Sequence, residues 1–390
     1  TEGLLALGIA NVIVSEGLSQ RGGELSGLLG GYAIDKVSEA TGVSTDTIRQ
    51  IAREFSSMQP SLAIGGGTAM TSTNATETLI AINILNYVAG NIGITIDFGR
   101  TLNTDGISPF QDILSLVDSM SNGGVDLLMV YNVNPVFTLP KSTGFEDAIS
   151  KVPFVVSFSS FMDETTEKAH LIMPDNTTIE SWGDFIPSAG IHGLIQPAMT
   201  PVFNTKSTGD VILAVTANIE DLKERYKEAS YYDYLRESWK TAYSSQAGLS
   251  FDSFWNKALE NGGYYSDVQT VQVSLSGGLS GAALPEAEFS GDGDYFLIAY
   301  PSYKYYDGRG ANKPWLQELP DALSTGVWDS WVEVHPDTAS RLGVKLGDYV
   351  VIESPQGSIE TQVYPYPGIR PDTVAVMIGQ GHTSYGRYAK

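Results

Sequence analysis

The sequence has no cysteine and only four histidines among its 390 residues. Without cysteine, this stretch cannot form disulfides, thiolate zinc sites, iron–sulfur ligation or a cysteine nucleophile. The histidines are scattered, with no spacing of the HExxH type; they are His170, His192, His335 and His382. The residues therefore predict neither a protein-ligated metal nor a self-contained catalytic constellation.

Basic residues are scarce as well, since 23 lysines and arginines stand against 45 aspartates and glutamates, for a net charge of −22. Nucleic acids and anionic membrane surfaces both need a basic footprint, so this balance opposes binding to either. No apolar run reaches the roughly 18 residues that a transmembrane helix requires. A solvated acidic surface is the simplest interpretation.

The chain begins at Thr1 and passes directly into a predicted helix over Glu2–Gly17, with no signal peptide or twin-arginine leader before it. We therefore expect a segment of a longer protein. The missing leader then carries no information about the compartment.

Three short apolar runs in the middle of the chain predict the strands of a parallel sheet, namely Asp126–Val130, Phe154–Phe158 and His170–Met173. Each is bounded by turn-forming residues, which is typical of strands buried on both faces. A helix between the first two makes a crossover unit. Ligands of open α/β sheets bind beyond the carboxyl ends of the strands, so we expect a ligand first at the turns Asn132–Pro135 and Ser159–Thr166.

A second candidate site is the glycine turn Gly65-Gly66-Gly67. It follows a predicted strand, Ser61–Ile64, and precedes a predicted helix with Asn74 as N-cap, Glu77 as its capping-box partner and an end near Gly90. Strand, glycine turn and helix in this order let backbone N–H groups approach a phosphate. GxGxxG and the Walker lysine are absent, and a tight turn that needs positive φ is the alternative interpretation.

The composition changes near Ser274–Gly293, which is rich in Gly, Ser and Ala and predicts a linker over 274–293. Before it, an α/β region occupies 1–273, with a dinucleotide-binding-type sheet at about 61–218 and a helical extension at about 220–262. After it, regularly spaced short strands over 294–390 indicate a closed β-barrel. These strands are Tyr295–Tyr300, Trp331–His335, Tyr349–Glu353, Ser358–Tyr364 and Thr373–Ile378.

Several strings resemble the molybdopterin oxidoreductase family of the dimethyl-sulfoxide-reductase type. They are Ala33–Phe55, LAIGGG, AINILNYVAGNIG, the Val133–Pro135 turn and DETTEKAHLIMP, in the order of the family. Four more strings are similar to the molybdopterin-like subunit of alternative complex III and related quinone reductase complexes. They are SFSSFMDETT, TTIESWGDF, NKPWLQELPD and GQGHTSYGRYAK. The resemblance covers nearly the whole chain.

The resemblance implies parallel-sheet α/β domains followed by a six-stranded double-psi β-barrel. It also implies molybdopterin guanine dinucleotide as the cofactor, whereas iron–sulfur clusters and the molybdenum ligand would lie on segments missing here or on partner subunits. By position, Gly65–Gly67 and Asn132–Pro135 match the pyrophosphate- and ribose-side loops. The implied cofactor-binding residues are Gly65, Gly66, Gly67, Asn132, Asn134, Pro135, Ser159, Asp163, Glu164, Thr165 and His382.

The guanine-side turn departs from the pattern of that family. Ser159 stands where the family has an Asp that accepts hydrogen bonds from guanine, Asp163 replaces a Thr, and His170 replaces a second Asp. A hydroxyl cannot replace the charge-assisted hydrogen bond of a carboxylate, which is roughly twice as strong as a neutral one. Asp163 and Glu164 would also repel a pyrophosphate. Such departures are expected of a subgroup that keeps the fold without the cofactor.

Three functions remain open at this point. The first is a fragment of a subunit of a membrane-associated, quinone-linked respiratory complex on the extracytoplasmic face of the bacterial membrane, with iron–sulfur, haem and membrane quinone-binding subunits as partners. The second is an active molybdenum reductase of the polysulfide or thiosulfate type, against which Ser159 counts. The third is a cofactor-free structural module, which predicts no association with redox subunits. Turn and capping roles are the alternatives to ligand contact for Asn134-Pro135 and Asp163-Glu164.

Overall fold

The computed structural model describes residues 1–67, 71–243, 248, 250–276, 285, 287–289 and 291–389. Part of the linker predicted at 274–293 lies outside the described residues. Within these ranges, no helix is both long and apolar enough to cross a bilayer.

The described residues form fourteen α-helices and eleven β-strands. The helices are α1 (Glu2–Ser15), α2 (Ser26–Leu29), α3 (Ile34–Thr41), α4 (Thr45–Ser57), α5 (Ala75–Ala89), α6 (Phe110–Ser121), α7 (Pro135–Thr138), α8 (Phe145–Ile149), α9 (Thr208–Thr216), α10 (Glu220–Lys223), α11 (Tyr231–Tyr243), α12 (Phe251–Asn261), α13 (Pro314–Glu318) and α14 (Pro336–Leu342). The strands are β1 (Leu127–Val130), β2 (Phe154–Ser157), β3 (Leu171–Ile172), β4 (Gly183–Ser188), β5 (Ile191–Ile195), β6 (Gly263–Tyr265), β7 (Phe296–Pro301), β8 (Trp331–Val334), β9 (Tyr349–Ser354), β10 (Gly357–Pro365) and β11 (Thr373–Ile378).

The chain divides into two compact units, each built from three separate segments. The first unit contains Thr1–Arg100, Gln269–Pro301 and Ala322–Ile378, and the second contains Thr101–Val268, Ser302–Asp321 and Gly379–Lys390. Each unit therefore takes residues from both sides of the predicted linker. The predicted boundaries of the sequence domains stay a prediction.

The helical part of the first unit is organised around α1, which packs against α3, α4 and α5. Leu7 and Ile13 on α1 are completely buried, and each buried side chain of this size contributes roughly 1.5–3 kcal/mol. A Cβ on Gly8 would lie 2.8 Å from Val37 of α3, so the glycine permits this close helix contact. The helices predicted in this region are confirmed, including the end of α5 at the left-handed Gly90.

The first unit also contains a mixed five-stranded sheet in the order β7-β11-β8-β10-β9. β7 and β11 are parallel, β8 and β10 are parallel, and the remaining neighbours are antiparallel. All five strands predicted for the C-terminal part are confirmed. Val332, Val334 and Val363 form the buried centre of this sheet, against Ala339 of α14.

The second unit contains the predicted parallel sheet, in the order β1-β2-β3. β1 and β2 are neighbours, and their register places Leu127 opposite Phe154. The helices α6 and α8 cover the inner face of the sheet through Met120 and Ile149. The α/β class and the crossover unit are thus confirmed. Burial on both faces is wrong for β1, because Leu127 and Met129 are 50% and 57% exposed on its outer face.

A second sheet in this unit, β4-β5-β6, is antiparallel and supports α11 and α12. The register pairs Asp184 with Leu194 and His192 with Tyr264. Alternate residues of a strand share a face, so these side chains all project from one side of the sheet.

One local prediction in the first unit is wrong, and another is confirmed in position only. Ser61–Ile64 forms no strand; instead, the N–H and C=O of Ala63 pair with the side-chain amide of Asn86, at 2.9 and 2.8 Å. The side chain of Asn86 on α5 thus makes the hydrogen bonds that a neighbouring strand would otherwise make. Asn74 stands at the predicted N-cap position but makes no side-chain cap bond. Its oxygen, which would accept that bond, accepts from the Ser72 hydroxyl at 2.8 Å, and its amide nitrogen donates to the carbonyl of Pro285 at 3.0 Å.

Candidate functional site

The candidate site lies in the second unit, where β1 and β2 end. Because the two strands are parallel and in register, the turns Asn132–Pro135 and Ser159–Thr166 follow at the same edge of the sheet. Asn132 adopts φ 54°, in the left-handed region that asparagine tolerates better than most residues. The predicted meeting of the two turns is confirmed by their hydrogen bonds.

Asn134 joins the two turns. Its side-chain oxygen accepts bonds from the hydroxyl and the backbone N–H of Thr165, at 2.7 and 3.2 Å, and its amide nitrogen donates to Oε2 of Glu164 at 2.7 Å. Pro135 opens α7, and the N–H of Val136 donates to the Thr165 hydroxyl at 3.1 Å. Both the side-chain oxygen and the amide nitrogen of Asn134 therefore form hydrogen bonds with the Ser159–Thr166 turn.

Glu164 is the centre of the site and is only 8% exposed. Its Oε1 accepts from the backbone N–H groups of Thr383 and Ser384, at 2.7 and 3.2 Å. Nδ1 of His382 lies 3.1 and 3.2 Å from the two carboxylate oxygens. Glu164 thus receives hydrogen bonds from the Asn134 turn and from the segment that follows β11.

The hydrogen bonds to Glu164 keep its carboxyl group ionised. Burial alone would raise its pKa, but the bonds from Asn134, from its own backbone, from Thr383 and from His382 outweigh that effect and lower the pKa to about 2. A carboxylate in this state is a fixed acceptor at neutral pH and cannot serve as a proton donor.

His382 is held between an aromatic ring and a glycine. Its ring stacks on Phe137 with centroids 3.6 Å apart and planes 16° from parallel. A Cβ on Gly308, which has φ 103°, would lie 2.5 Å from Phe137 and 2.6 Å from Nε2 of His382. Only glycine fits at this position, so the close packing of the imidazole depends on it.

Asp163 and Ser159 contact each other and form hydrogen bonds with the backbone of their own turn. Oδ1 of Asp163 accepts from the N–H of Thr166 at 2.6 Å, and its Oδ2 lies 3.3 Å from the Ser159 hydroxyl. That hydroxyl also donates to the carbonyl of Phe161 at 2.7 Å. The capping interpretation of Asp163 is therefore the one that its contacts support.

The turn offers a guanine ring no carboxylate at Ser159, the position of the family's aspartate. Both oxygens of Glu164 and Oδ1 of Asp163 accept hydrogen bonds within the chain, whereas Oδ2 of Asp163 has only the 3.3 Å contact with Ser159. The guanidinium of Arg309 makes a bidentate pair with Asp307, at 2.8 and 2.7 Å. As arranged, the Ser159–Thr166 turn does not fit a guanine ring in the manner of the family.

The glycine turn belongs to the first unit and has a different character. Gly66 and Gly67 have φ of 137° and 63°, and no described atom lies within 4 Å of where a Cβ would stand on either. A Cβ on Gly65 would lie 2.5 Å from Leu79 of α5. Positive φ is thus confirmed for two of the three glycines, and their open side would admit the close approach of a ligand.

The structure brings together seven of the predicted site residues, which are Asn134, Pro135, Ser159, Asp163, Glu164, Thr165 and His382. Asn132 lies in the same turn as Asn134. Gly65–Gly67 lie in the other unit. A cofactor-binding role for all of them stays a prediction, and no cluster of three potential metal ligands occurs in the described ranges.

Sequence reasoning missed four participants, namely Phe137, Gly308, Thr383 and Ser384. Thr383 and Ser384 act through backbone N–H groups, which leave no trace in the identity of the residue. Gly308 and Phe137 matter through packing across distant parts of the chain. The proximity of Thr383 to His382 was the one available signal.

Comparisons with known proteins show the family of the chain. The profile of the family described as "Molybdopterin oxidoreductase" matches residues 3–218, and that of the "Molydopterin dinucleotide binding domain" matches residues 297–389. The menaquinone reductase molybdopterin-binding-like subunit of Nitratidesulfovibrio vulgaris is 25% identical over 420 residues, covering 100% of this chain and 57% of the relative. The chain thus spans little more than half the length of that relative.

The chain is also similar to a second relative and, in fold, to a solved structure. The thiosulfate reductase molybdopterin-containing subunit PhsA of Salmonella typhimurium is 21% identical over 286 residues, covering 64% of this chain and 37% of the relative. Acetylene hydratase from Pelobacter acetylenicus superposes with a TM-score of 0.68 at 16% identity, over 97% of this chain and 63% of that one. The resemblance inferred from the sequence is confirmed, and because the first profile covers more than half of the residues, the chain belongs to the molybdopterin oxidoreductase family.

Proposed function

We propose that the chain is part of a molybdopterin-oxidoreductase-fold subunit of a membrane-associated, quinone-linked electron-transfer complex, and that its Ser159–Thr166 turn does not hold a guanine dinucleotide. The observation that carries the proposal is the closed hydrogen-bond network of Glu164. In this function the turn connects segments of the chain through hydrogen bonds and binds no cofactor. The chain then supports electron transfer by cofactors that other segments or partner subunits bind.

Opening the network for a guanine ring would be costly. Glu164 would have to give up bonds from Asn134 or Thr383, and a hydrogen bond to a charged group contributes about 1.5–3 kcal/mol. Two pyrophosphate charges near Asp163 and Glu164 would add repulsion. The carboxylate of Glu164 therefore binds the backbone of Thr383 in preference to a nucleotide.

The relatives support the quinone link. One of them is named as a molybdopterin-binding-like subunit of a menaquinone reductase. By extension we propose iron–sulfur, haem and membrane quinone-binding subunits as partners and the extracytoplasmic face of the membrane as the location. We also propose that the sheet β7-β11-β8-β10-β9, with its mixture of parallel and antiparallel neighbours, belongs to a double-psi barrel.

Co-purification tests the complex. The full-length protein, tagged and extracted in mild detergent from membranes of its native source, should elute with haem- and iron-containing subunits and with bound quinone. An unrelated exported protein carrying the same tag is the control. Elution without redox subunits would reject the proposal in favour of a cofactor-free structural module.

A second candidate is an active molybdenum reductase, and the open Gly66-Gly67 turn is the observation that favours it. Relatives that include a thiosulfate reductase subunit support the same candidate. It predicts turnover of thiosulfate or polysulfide by the full-length protein with a reduced viologen dye as electron donor. It also predicts that growth without molybdate abolishes that turnover; the first proposal predicts no such activity under either condition.

A further inference from the structure

The second unit contains an aromatic cluster that shares no residue with the Glu164 network. Its members pack between the β4-β5-β6 sheet and the helices α11 and α12. They are Trp182, His192, Tyr232, Trp239, Tyr243, Phe254, Trp255 and Tyr264. Trp239 and Trp255 are 1% and 2% exposed, so the centre of the cluster is closed to water.

Tyr243 and His192 form the polar pair of this cluster. The phenol oxygen of Tyr243 makes a hydrogen bond with Nδ1 of His192, and the two rings lie 4.4 Å apart. Burial lowers the pKa of His192, against the opposing influence of Asp184, and burial with Asp184 raises the pKa of Tyr243. At neutral pH the phenol therefore keeps its proton, and it donates to Nδ1 of the neutral imidazole in the tautomer that carries its proton on Nε2.

Asp184 extends this arrangement to Trp239. The indole Nε1–H of Trp239 donates to Oδ2 of Asp184 at 2.9 Å. The same carboxylate is the charge that favours the imidazolium form of His192. Trp255 differs, since its buried Nε1 has no hydrogen-bond partner among the described residues. A proton acceptor is thus placed selectively beside Trp239 and Tyr243.

The rings form a continuous series of contacts. Centroid distances are 4.7 Å from Trp182 to Tyr232, 6.1 Å from Tyr232 to Trp255, 5.8 Å from Trp255 to Trp239 and 4.9 Å from Trp239 to Tyr243. Tyrosine and tryptophan are the most readily oxidised aromatic side chains. The sequence has no cysteine that could compete with them.

We propose that Tyr243 and His192 are a redox-active pair that gives up one electron to a strong one-electron oxidant, such as an oxygen-derived radical, with the buried tryptophans as the route to it. The oxidant gains one electron. The phenol O–H bond breaks, its proton forms a bond with Nδ1 of His192, and a neutral tyrosyl radical and an imidazolium remain. The carboxylate of Asp184 stabilises the imidazolium, and the oxidising equivalent stays within the pair.

Photo-oxidation of the full chain tests this proposal. A tris(bipyridine)ruthenium sensitiser with persulfate supplies the one-electron oxidant, and electron paramagnetic resonance of frozen samples measures the tyrosyl radical. We expect Tyr243→Phe to abolish the signal of the long-lived buried radical. The exposed Tyr349 lies in the other unit, and Tyr349→Phe is the matched control that should leave that signal unchanged.

His192→Phe separates a positioning role from simple packing, because it keeps an aromatic ring and removes the proton acceptor. We expect it to slow radical formation about tenfold or more, the factor that corresponds to losing one hydrogen bond to a group that becomes charged. Radical formation should be slower in D2O for the wild-type chain, and this isotope effect should vanish in the variant.

Equal radical signals from the wild-type chain and Tyr243→Phe would overturn the proposal, and so would an unchanged rate and isotope effect in His192→Phe. Near-ultraviolet circular dichroism checks that each variant is folded. If a variant fails to fold, mass spectrometry of the wild-type chain with a radical trap decides the matter. A trap adduct on Tyr243 supports the redox-active pair, whereas adducts confined to exposed tyrosines contradict it.

Discussion

Replacing Glu164 with Gln should destabilise the second unit by about 2–3 kcal/mol. The pKa of Glu164 falls from 4.5 to about 2 on folding, and at 1.36 kcal/mol per pH unit this difference corresponds to roughly 3 kcal/mol of stabilisation of the ionised form. Gln keeps the shape of the side chain but loses its charge. It also turns an N–H group towards Asn134 or Thr383, each of which needs an acceptor.

Urea denaturation and hydrogen exchange together measure this effect. We expect a lower denaturation midpoint and faster exchange at the amides of Thr383 and Ser384, which donate to Glu164. Glu146→Gln is the matched control, since Glu146 makes an exposed pair with Lys168 and should change stability by less than about 0.5 kcal/mol. If Glu164→Gln behaves like this control in both measurements, the network does not tie the segments together.

Three further predictions concern pH and single side chains. The pKa of Glu164 is lower in the folded chain than its usual value, so the unfolded chain takes up the proton first as pH falls. The stability that Glu164 contributes should therefore be complete above pH 4.5 and lost towards pH 2. Acid denaturation of the wild type and Glu164→Gln measures this difference. Asn86→Ala should cost about 2–3 kcal/mol in thermal denaturation because both backbone groups of Ala63 lose their partner. Ser159→Asp should place a second carboxylate beside Asp163 and destabilise the chain by about 1–2 kcal/mol at neutral pH, with no gain in guanine nucleotide binding in equilibrium dialysis.

Much of the fold follows from local pattern. The apolar runs that form β1, β2 and β3, and the regularly spaced strands β7–β11, were all predicted because hydrophobic alternation and turn residues are local signals. The helices α1 and α5 were likewise predicted, and the end of α5 at Gly90 follows from the preference of glycine for the left-handed region. The meeting of the Asn132–Pro135 and Ser159–Thr166 turns followed from the topology of a parallel sheet alone.

The errors at the strand and at the site come from contacts between residues far apart in sequence. Ala63 pairs with Asn86 instead of a strand, whereas the oxygen of Asn74 accepts from its near neighbour Ser72 instead of capping α5. The site shows the same limit: Glu164 was predicted as a cofactor contact or a helix cap, yet it is held by backbone groups more than two hundred residues away. No local pattern reports such a partner.

The central claim, that the Ser159–Thr166 turn does not hold a guanine dinucleotide, has a direct test. The measurement is metal and nucleotide analysis by mass spectrometry of the full-length protein isolated from its native source. We expect iron from associated subunits without stoichiometric molybdenum, tungsten or released GMP. Molybdenum or tungsten together with GMP in stoichiometric amounts would contradict the claim and favour an active molybdenum reductase.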